Sequence, residues 1–107
     1  IKTDIVPVSV VIPAYLNPLT LRKTLLRICE CRPLPQELLI HADGGWLPSA
    51  EVTAGLPVPV RILSSETNLG PGGGRDVLFR AAACEAIASF DDDSWPLDAD
   101  YFAQSLE

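Results

Sequence analysis

Residues 8–15 read VSVVIPAY, and this stretch decides the fold prediction. Its first five residues are nearly all apolar and rich in β-branched side chains, which is typical of a strand that is buried on both faces. Strands of that kind belong to parallel sheets that carry helices on both sides. The predicted strand covers Val8–Ile12 and ends at Pro13, so Ala14 and Tyr15 fall in the turn that follows.

Helical and strand-like patterns alternate after this turn. An amphipathic helix follows the Asn17-Pro18 cap, and Pro33 and Pro35 open a loop behind it. The pattern then predicts a strand at 37–42, a possible short helix within 46–57 and a strand at 58–63. Pro59 indicates that this last strand lies at an edge of the sheet. A helix at 75–86, with Val77, Ala81 and Cys84 facing inward, and a strand at 86–90 follow. This order predicts an α/β fold, a Rossmann-like three-layer α/β/α half-domain with a mainly parallel sheet of about four strands.

The unusual residues of the chain follow the predicted strands. Right-handed crossovers place all the carboxyl ends of parallel strands at one edge, and ligands bind at that edge in such sheets. The segments just past the strand ends are 13–15, 43–45, 64–66 and 91–93. We therefore expect Pro13, Ala14, Tyr15, Asp43 and the aspartates at 91–93 to meet in one cleft.

Composition limits the class of partner. The chain has 107 residues, which suits one domain, and its net charge is −6. An acidic surface argues against nucleic acid and against electrostatic docking to an anionic membrane. Three cysteines form no disulfide framework, which favours reduced thiols and a reducing compartment. The sequence has neither a run of about 18 apolar residues nor a visible signal peptide.

The sharpest chemical signal is the run Asp91-Asp92-Asp93. Three adjacent carboxylates repel one another, so placing them at the end of a buried strand costs free energy that a bound cation would offset. Mg²⁺ and Mn²⁺ prefer oxygen ligands and are often held by one or two carboxylates together with substrate phosphates. A solvated acidic turn that caps the next helix is the alternative explanation.

Two further features suit an anionic ligand. The glycine-rich run at 68–75 matches neither a P-loop nor a dinucleotide fingerprint, but it leads into a helix start where backbone N–H groups and Arg75 favour an anion. Asp43 can accept a hydrogen bond from a base N–H or a ribose hydroxyl. The alternatives are that the glycine-rich run is a plain loop with Arg75 on the surface and that Asp43 is an ordinary turn residue. His41 is predicted to be a packed or satisfied core residue.

Four motifs in order resemble family-2 glycosyltransferases of the GT-A fold, over roughly residues 8–101. The opening VSVVIPAYLNPLTLRKTL is similar to the family's first strand, Pro-x-Tyr-Asn-like turn and helix, with Leu16 inserted. ELLIHADGG resembles the strand that ends in Asp-Asp-Gly-Ser, with Ala42 and Gly45 as departures. SSETNLGPGGGRD resembles the Asn-x-Gly loop and its arginine, and FDDDSWPLD the Asp-x-Asp (DXD) segment.

This resemblance implies roles for particular residues. Asp43 matches the aspartate that contacts the nucleotide base, and Asp93 matches the metal ligand for Mn²⁺ or Mg²⁺. Asp91 or Asp92 would face the donor ribose or sugar, and Arg75 matches the arginine of the loop. The implied donor is a nucleotide-diphospho-sugar, and the acceptor is a glycan, a lipid or a protein.

The length sets a further expectation. A complete family-2 catalytic domain is about twice as long, so the resemblance implies a donor-binding half without the acceptor site, inactive alone and prone to self-association. We expect a cytoplasmic location, which in a longer protein could be peripheral to the inner face of a membrane. The alternatives are a nucleotidyltransferase of related fold, which usually has a glycine-rich loop after its first strand, and a non-catalytic binding or assembly module.

Overall fold

Four parallel strands form one sheet, as the alternating sequence pattern predicts. The computed structural model describes residues 5–15, 18–31 and 33–91. The strands are β1 (Ile5–Ala14), β2 (Leu34–Ala42), β3 (Val60–Ser64) and β4 (Ala86–Ser89), and the helices are α1 (Pro18–Ile28), α2 (Ala50–Thr53) and α3 (Gly70–Ala81). No helix within those ranges is long and apolar enough to cross a membrane.

The strand order is β3-β2-β1-β4. The chain moves outward from β1 through β2 to β3 and then returns to the other side of β1 to form β4. Because parallel crossovers are right-handed, this reversal places α1 and α2 on one face of the sheet and α3 on the other. The predicted three-layer Rossmann-like architecture is therefore confirmed, and the reversal creates a switch point between β1 and β4, where such sheets bind ligands.

The core has two parts, one on each face of the sheet. Val10 and Ile12 of β1 pack in the larger cluster with Leu21 and Leu25 of α1. Their neighbour Val11 points to the other face, where a smaller cluster contains Leu39 of β2 and Leu78 of α3. Burial on both faces of β1 explains its nearly continuous apolar sequence.

The prediction that Pro13 ends the first strand is wrong, because β1 continues to Ala14. The carbonyl of Val11 accepts a hydrogen bond from Phe90, just after β4. Two residues further on, the backbone nitrogen of Pro13 faces the same side of β1, beyond the end of β4. No ladder hydrogen bond is required there, so a residue without an N–H group is tolerated.

The second and third strands also differ from the predicted boundaries. β2 begins at Leu34 and includes Pro35, which lies opposite Val6 next to an irregularity in the β1–β2 register. An interrupted ladder tolerates a proline. β3 is an edge strand as predicted, although Pro59 precedes it and only contributes its carbonyl to the N–H of Leu38.

The largest boundary error concerns α3, which begins at Gly70 rather than Arg75. Glycines at 72–74 are therefore helical, although each costs about 1 kcal/mol relative to alanine in a helix. Leu78 of this helix is fully buried, whereas Val77 and Ala81 are partly buried and Cys84 lies after its end. The contacts of α3 with the sheet and with the loop after β2 override the weak intrinsic preference of glycine for a helix.

Candidate functional site

The carboxyl edge of the sheet brings several of the predicted site residues together. The N–H of Asp43 donates to the carbonyl of Ala14 at 3.1 Å, which joins the ends of β1 and β2. Arg75 reaches from α3 to Asp91, just after β4. Asp92 and Asp93 lie outside the described residues.

Asp43 is the most connected side chain at this edge. Its Oδ1 accepts hydrogen bonds from the N–H of Leu69 at 2.7 Å and from the hydroxyl of Ser65 at 3.3 Å. Its Oδ2 accepts from the N–H of Gly70 at 3.0 Å. The carboxylate is buried, and it ties the end of β2 to the loop after β3 and to the start of α3.

These hydrogen bonds determine the charge state of Asp43. Burial raises the pKa of its carboxyl, but the N–H groups of Leu69 and Gly70 and then the Ser65 hydroxyl outweigh it, so the pKa lies below the ordinary value of 3.8. A carboxylate offers about four acceptor positions. Three have partners among the described residues, and the fourth, on Oδ2, has none there.

Part of the anion site that the glycine-rich run predicts at the start of α3 is consequently occupied by Asp43. Asp43 already binds the N–H groups of the first helical residue and of the residue before it, Leu69, whose own side chain makes no capping hydrogen bond. Proline at position 71 has no N–H to offer. Sequence reasoning missed the part of the cap that Asp43 supplies, because Asp43 lies 26 positions away from Leu69. Asn68 also caps locally, since its Oδ1 accepts from the N–H of Gly70 at 2.9 Å.

Tyr15 and the loop after β2 form an exposed surface beside Asp43. Gly44 and Gly45 adopt φ values of 74° and 78°. A Cβ atom on Gly44 would lie 3.2 Å from Cε1 of Tyr15, whose side chain is half exposed. Glycine therefore lets the aromatic ring lie close against the loop that follows Asp43.

Arg75 links α3 to the aspartate run. Its Nε donates to Oγ of Ser89 at 2.9 Å, and its Nη2 pairs with the carboxylate of Asp91. Both side chains of this ion pair are partly exposed, so the pair contributes at most about 1 kcal/mol to stability. Its main consequence is geometric, because it holds the guanidinium at the switch point between β1 and β4.

His41 lies beneath the first two turns of α3. It is packed, as predicted, but it is not satisfied: its side chain is 1% exposed, and neither ring nitrogen has a hydrogen-bond partner among the described residues. A buried polar group without a partner costs about 1–3 kcal/mol. The sequence pattern of a strand residue carries no signal for this situation.

The described residues do not by themselves form a metal site. They contain no group of three or more histidine, cysteine, aspartate or glutamate side chains that could hold an ion. The chemistry of the donor set still fits, because Mg²⁺ and Mn²⁺ are commonly held by one or two carboxylates and completed by substrate phosphates. The aspartate run supplies carboxylates of this kind.

A second carboxylate network lies at the opposite end of the sheet. Oε2 of Glu37 accepts hydrogen bonds from the Ser9 hydroxyl at 2.6 Å and from the N–H of Ala83 at 2.7 Å. Its Oε1 pairs with Arg61. Burial raises the pKa of Glu37, but these partners outweigh it, so the pKa lies below the ordinary value of 4.5. The network joins the amino-terminal parts of β1 and β2 to the segment after α3.

Acid should destabilise the fold through these two carboxylates. Because the folded-state pKa values of Glu37 and Asp43 lie below 4.5 and 3.8, their contribution is complete above those values and is lost as the pH falls through the lower folded-state values. Chemical denaturation between pH 7 and pH 2.5 measures this loss, and Glu37→Gln should remove part of the pH dependence. An unfolding free energy that stays constant down to pH 3 would contradict the assignment.

Comparison with known proteins gives a family and several similar folds. The model of glycosyl transferase family 2 matches residues 9–103. The mannosyltransferase PcManGT from Pyrobaculum calidifontis, solved in complex with GDP-Man and Mn²⁺, aligns with a TM-score of 0.73 and 16% identity over 91% of this chain and 30% of that chain. TarS from S. aureus aligns with a TM-score of 0.71 and 19% identity over 94% of this chain and 19% of that chain.

The likeness to the two solved structures extends to the fold alone. At 16% and 19% sequence identity they establish the shared GT-A fold. The chain spans less than a third of the length of either protein. No curated protein sequence matches it.

Proposed function

The chain belongs to glycosyl transferase family 2, and we propose that it forms the donor-binding half of such an enzyme. The donor would be a nucleotide-diphospho-sugar held with Mn²⁺ or Mg²⁺ at the carboxyl edge of the sheet. The observation that carries this proposal is the placement of Asp43 and of the Arg75–Asp91 pair on either side of the β1 carboxyl end, next to the switch point.

The base and ribose would lie between Tyr15 and Asp43. An ionised, rigidly held carboxylate with one remaining acceptor position suits a base N–H or a ribose hydroxyl. The ring of Tyr15 offers an aromatic surface against which a base can stack. Pro13 and Ala14, at the end of β1, would form the floor of this part of the cleft.

The diphosphate and sugar would lie near the aspartate run. Asp91 or Asp92 would bind the donor ribose or sugar, and Asp93 would hold the divalent ion. Bound there, the ion would neutralise the diphosphate and stabilise the departing nucleotide. Support for an ion comes from charge: a carboxylate and a phosphate about 4 Å apart near a protein surface repel by about 4 kcal/mol. Arg75 would add a positive charge beside the same group.

The reaction of the whole enzyme would transfer the sugar to an acceptor hydroxyl on a glycan, a lipid or a protein. The acceptor oxygen would form a bond to the anomeric carbon and lose its proton to a base, while the bond from that carbon to the diphosphate breaks. The residues of this chain would bind and orient the donor. We expect the 107-residue chain alone to bind donor without transferring sugar, because transfer also requires a positioned acceptor.

Titration with nucleoside diphosphates tests the proposal. Adenosine, guanosine, uridine, cytidine and thymidine diphosphates are each titrated into the chain with Mn²⁺ and again with EDTA. We expect one or two bases to bind preferentially and only the Mn²⁺ series to reach high affinity. Equal and weak binding of all five nucleotides in both series would refute donor binding.

A further inference from the structure

His41 and Gly74 occupy complementary space between the sheet and α3. A Cβ atom on Gly74 would lie 2.8 Å from Nδ1 of His41 and 3.3 Å from Cβ of Pro13. The first distance is shorter than side chains tolerate, and both neighbours belong to the central strands of the sheet. Glycine at position 74 therefore allows α3 to lie directly on the imidazole.

Hydrogen bonding does not explain why a histidine occupies this position. Neither of its ring nitrogens has a hydrogen-bond partner among the described residues. An apolar residue would avoid the cost of burying an unpaired polar group. Its described interaction with α3 is the fit of its ring against the space that Gly74 leaves open.

The residue after Gly74 is Arg75, which donates to Ser89 and pairs with Asp91. The same helix is anchored at its start by Asp43. A change in the height of α3 above His41 would therefore move Arg75 relative to the end of β4 while Asp43 still holds the first turn.

We propose that His41 and Gly74 are a pair of positioning residues that sets the distance of α3 from the sheet and thereby places Arg75 against Asp91. The expected effect on nucleotide affinity rests on the function proposed above. The effect on the position of Arg75 is independent of that function, so the positioning role and the proposed function can be tested separately.

Gly74→Ala is the informative variant, and Gly72→Ala is its matched control. A Cβ atom on Gly72 would meet nothing within 4 Å, and alanine favours a helix over glycine at both positions. Intrinsic propensity therefore predicts the same small stabilisation for both variants, whereas the proposal predicts that only Gly74→Ala disturbs the site. Gly74→Ala combined with His41→Ala should restore the arrangement, because the smaller side chain frees the space.

The first readout is the Nε–H signal of Arg75 in a nitrogen–proton correlation spectrum, assigned with Arg75→Lys. In the wild-type chain and in Gly72→Ala this proton should exchange slowly, because it donates to Ser89. In Gly74→Ala the signal should shift and its exchange should accelerate, and the double variant should recover the wild-type signal. If Gly74→Ala does not fold, a folded double variant with the wild-type signal gives the same support.

The second readout is the affinity for the preferred nucleoside diphosphate with Mn²⁺. We expect Gly74→Ala to weaken binding about tenfold, because a displaced group loses its alignment with the ligand, and the double variant to recover most of the loss. An unchanged Arg75 signal in Gly74→Ala, or a double variant that recovers nothing, would overturn the positioning role. Absence of nucleotide binding by the wild-type chain would instead refute the proposed function and leave the spectroscopic result decisive for the pair.

Discussion

Replacing Asp93 with alanine should abolish the gain in nucleotide affinity that Mn²⁺ confers, while the chain keeps its fold. The reason is electrostatic. Without a bridging ion, the diphosphate meets the remaining carboxylates directly, and repulsion on the order of 4 kcal/mol outweighs the other contacts. Calorimetric titration of the preferred nucleoside diphosphate with Mn²⁺ and with EDTA measures the coupling.

Asp76→Ala is the matched control for this variant. It also removes one carboxylate, but Asp76 lies on the exposed side of α3, where it pairs with Arg80. We expect this control to keep the full effect of Mn²⁺. If Asp93→Ala keeps that effect as well, the aspartate run is an acidic turn and does not hold the ion.

Asp43→Asn should cause the second large loss, and it should affect both stability and binding. Asparagine retains one carbonyl oxygen, but its amide NH₂ group would face a backbone donor. Loss of a charge-assisted hydrogen bond costs about 1.5–3 kcal/mol, so we expect the unfolding free energy to fall by about 2–3 kcal/mol. Nucleotide affinity should fall by about 1–3 kcal/mol if the remaining acceptor position contacts the base.

Ser65→Ala separates the two roles of Asp43. It removes the hydroxyl whose single proton is shared between Oδ1 of Asp43 at 3.3 Å and the carbonyl of Thr67 at 3.0 Å, so stability should fall by about 0.5–1.5 kcal/mol and affinity should change little. A folded Asp43→Asn variant with wild-type nucleotide affinity would reduce Asp43 to a helix cap. Urea denaturation together with the same titration distinguishes these outcomes.

The fold could be predicted from the sequence because its strongest signals are local. The continuous apolar run in β1 predicts a strand buried on both faces, and the alternation with helical patterns predicts a parallel sheet. The strand order then places Ala14, Asp43 and Asp91 at one edge. These features depend on periodicity and on the handedness of crossovers, which hold in most folds of this class.

The start of α3 could not be predicted because distant residues determine it. Three glycines at 72–74 indicate a loop when only neighbouring residues are considered. In the structure, Asp43 caps the helix from the loop after β2, and the imidazole of His41 fills the space that Gly74 leaves open. Neither contact leaves a pattern within the segment itself, so the predicted boundary was five residues late.

The sequence indicated which residues gather at the carboxyl edge but not how they are connected. Carboxylates after two strands and an arginine in the glycine-rich segment predict an anion site assisted by a cation, and this chemistry stays a prediction. The pairing of Arg75 with Asp91 and the three hydrogen bonds to Asp43 required the tertiary structure. They show that Asp43 has a structural role, which a purely ligand-binding interpretation omits.

Mapping a bound nucleotide onto the backbone is the most direct test of the central claim that the carboxyl edge of the sheet is a donor site. Amide chemical shifts are recorded while the preferred nucleoside diphosphate is added with Mg²⁺. We predict that the largest changes fall in 13–15, 43–45, 65–75 and 91–93, and that amides around Glu37 and Ala83, at the opposite end of the sheet, do not move. Changes concentrated at that opposite end or on the outer face of α1 would contradict the account.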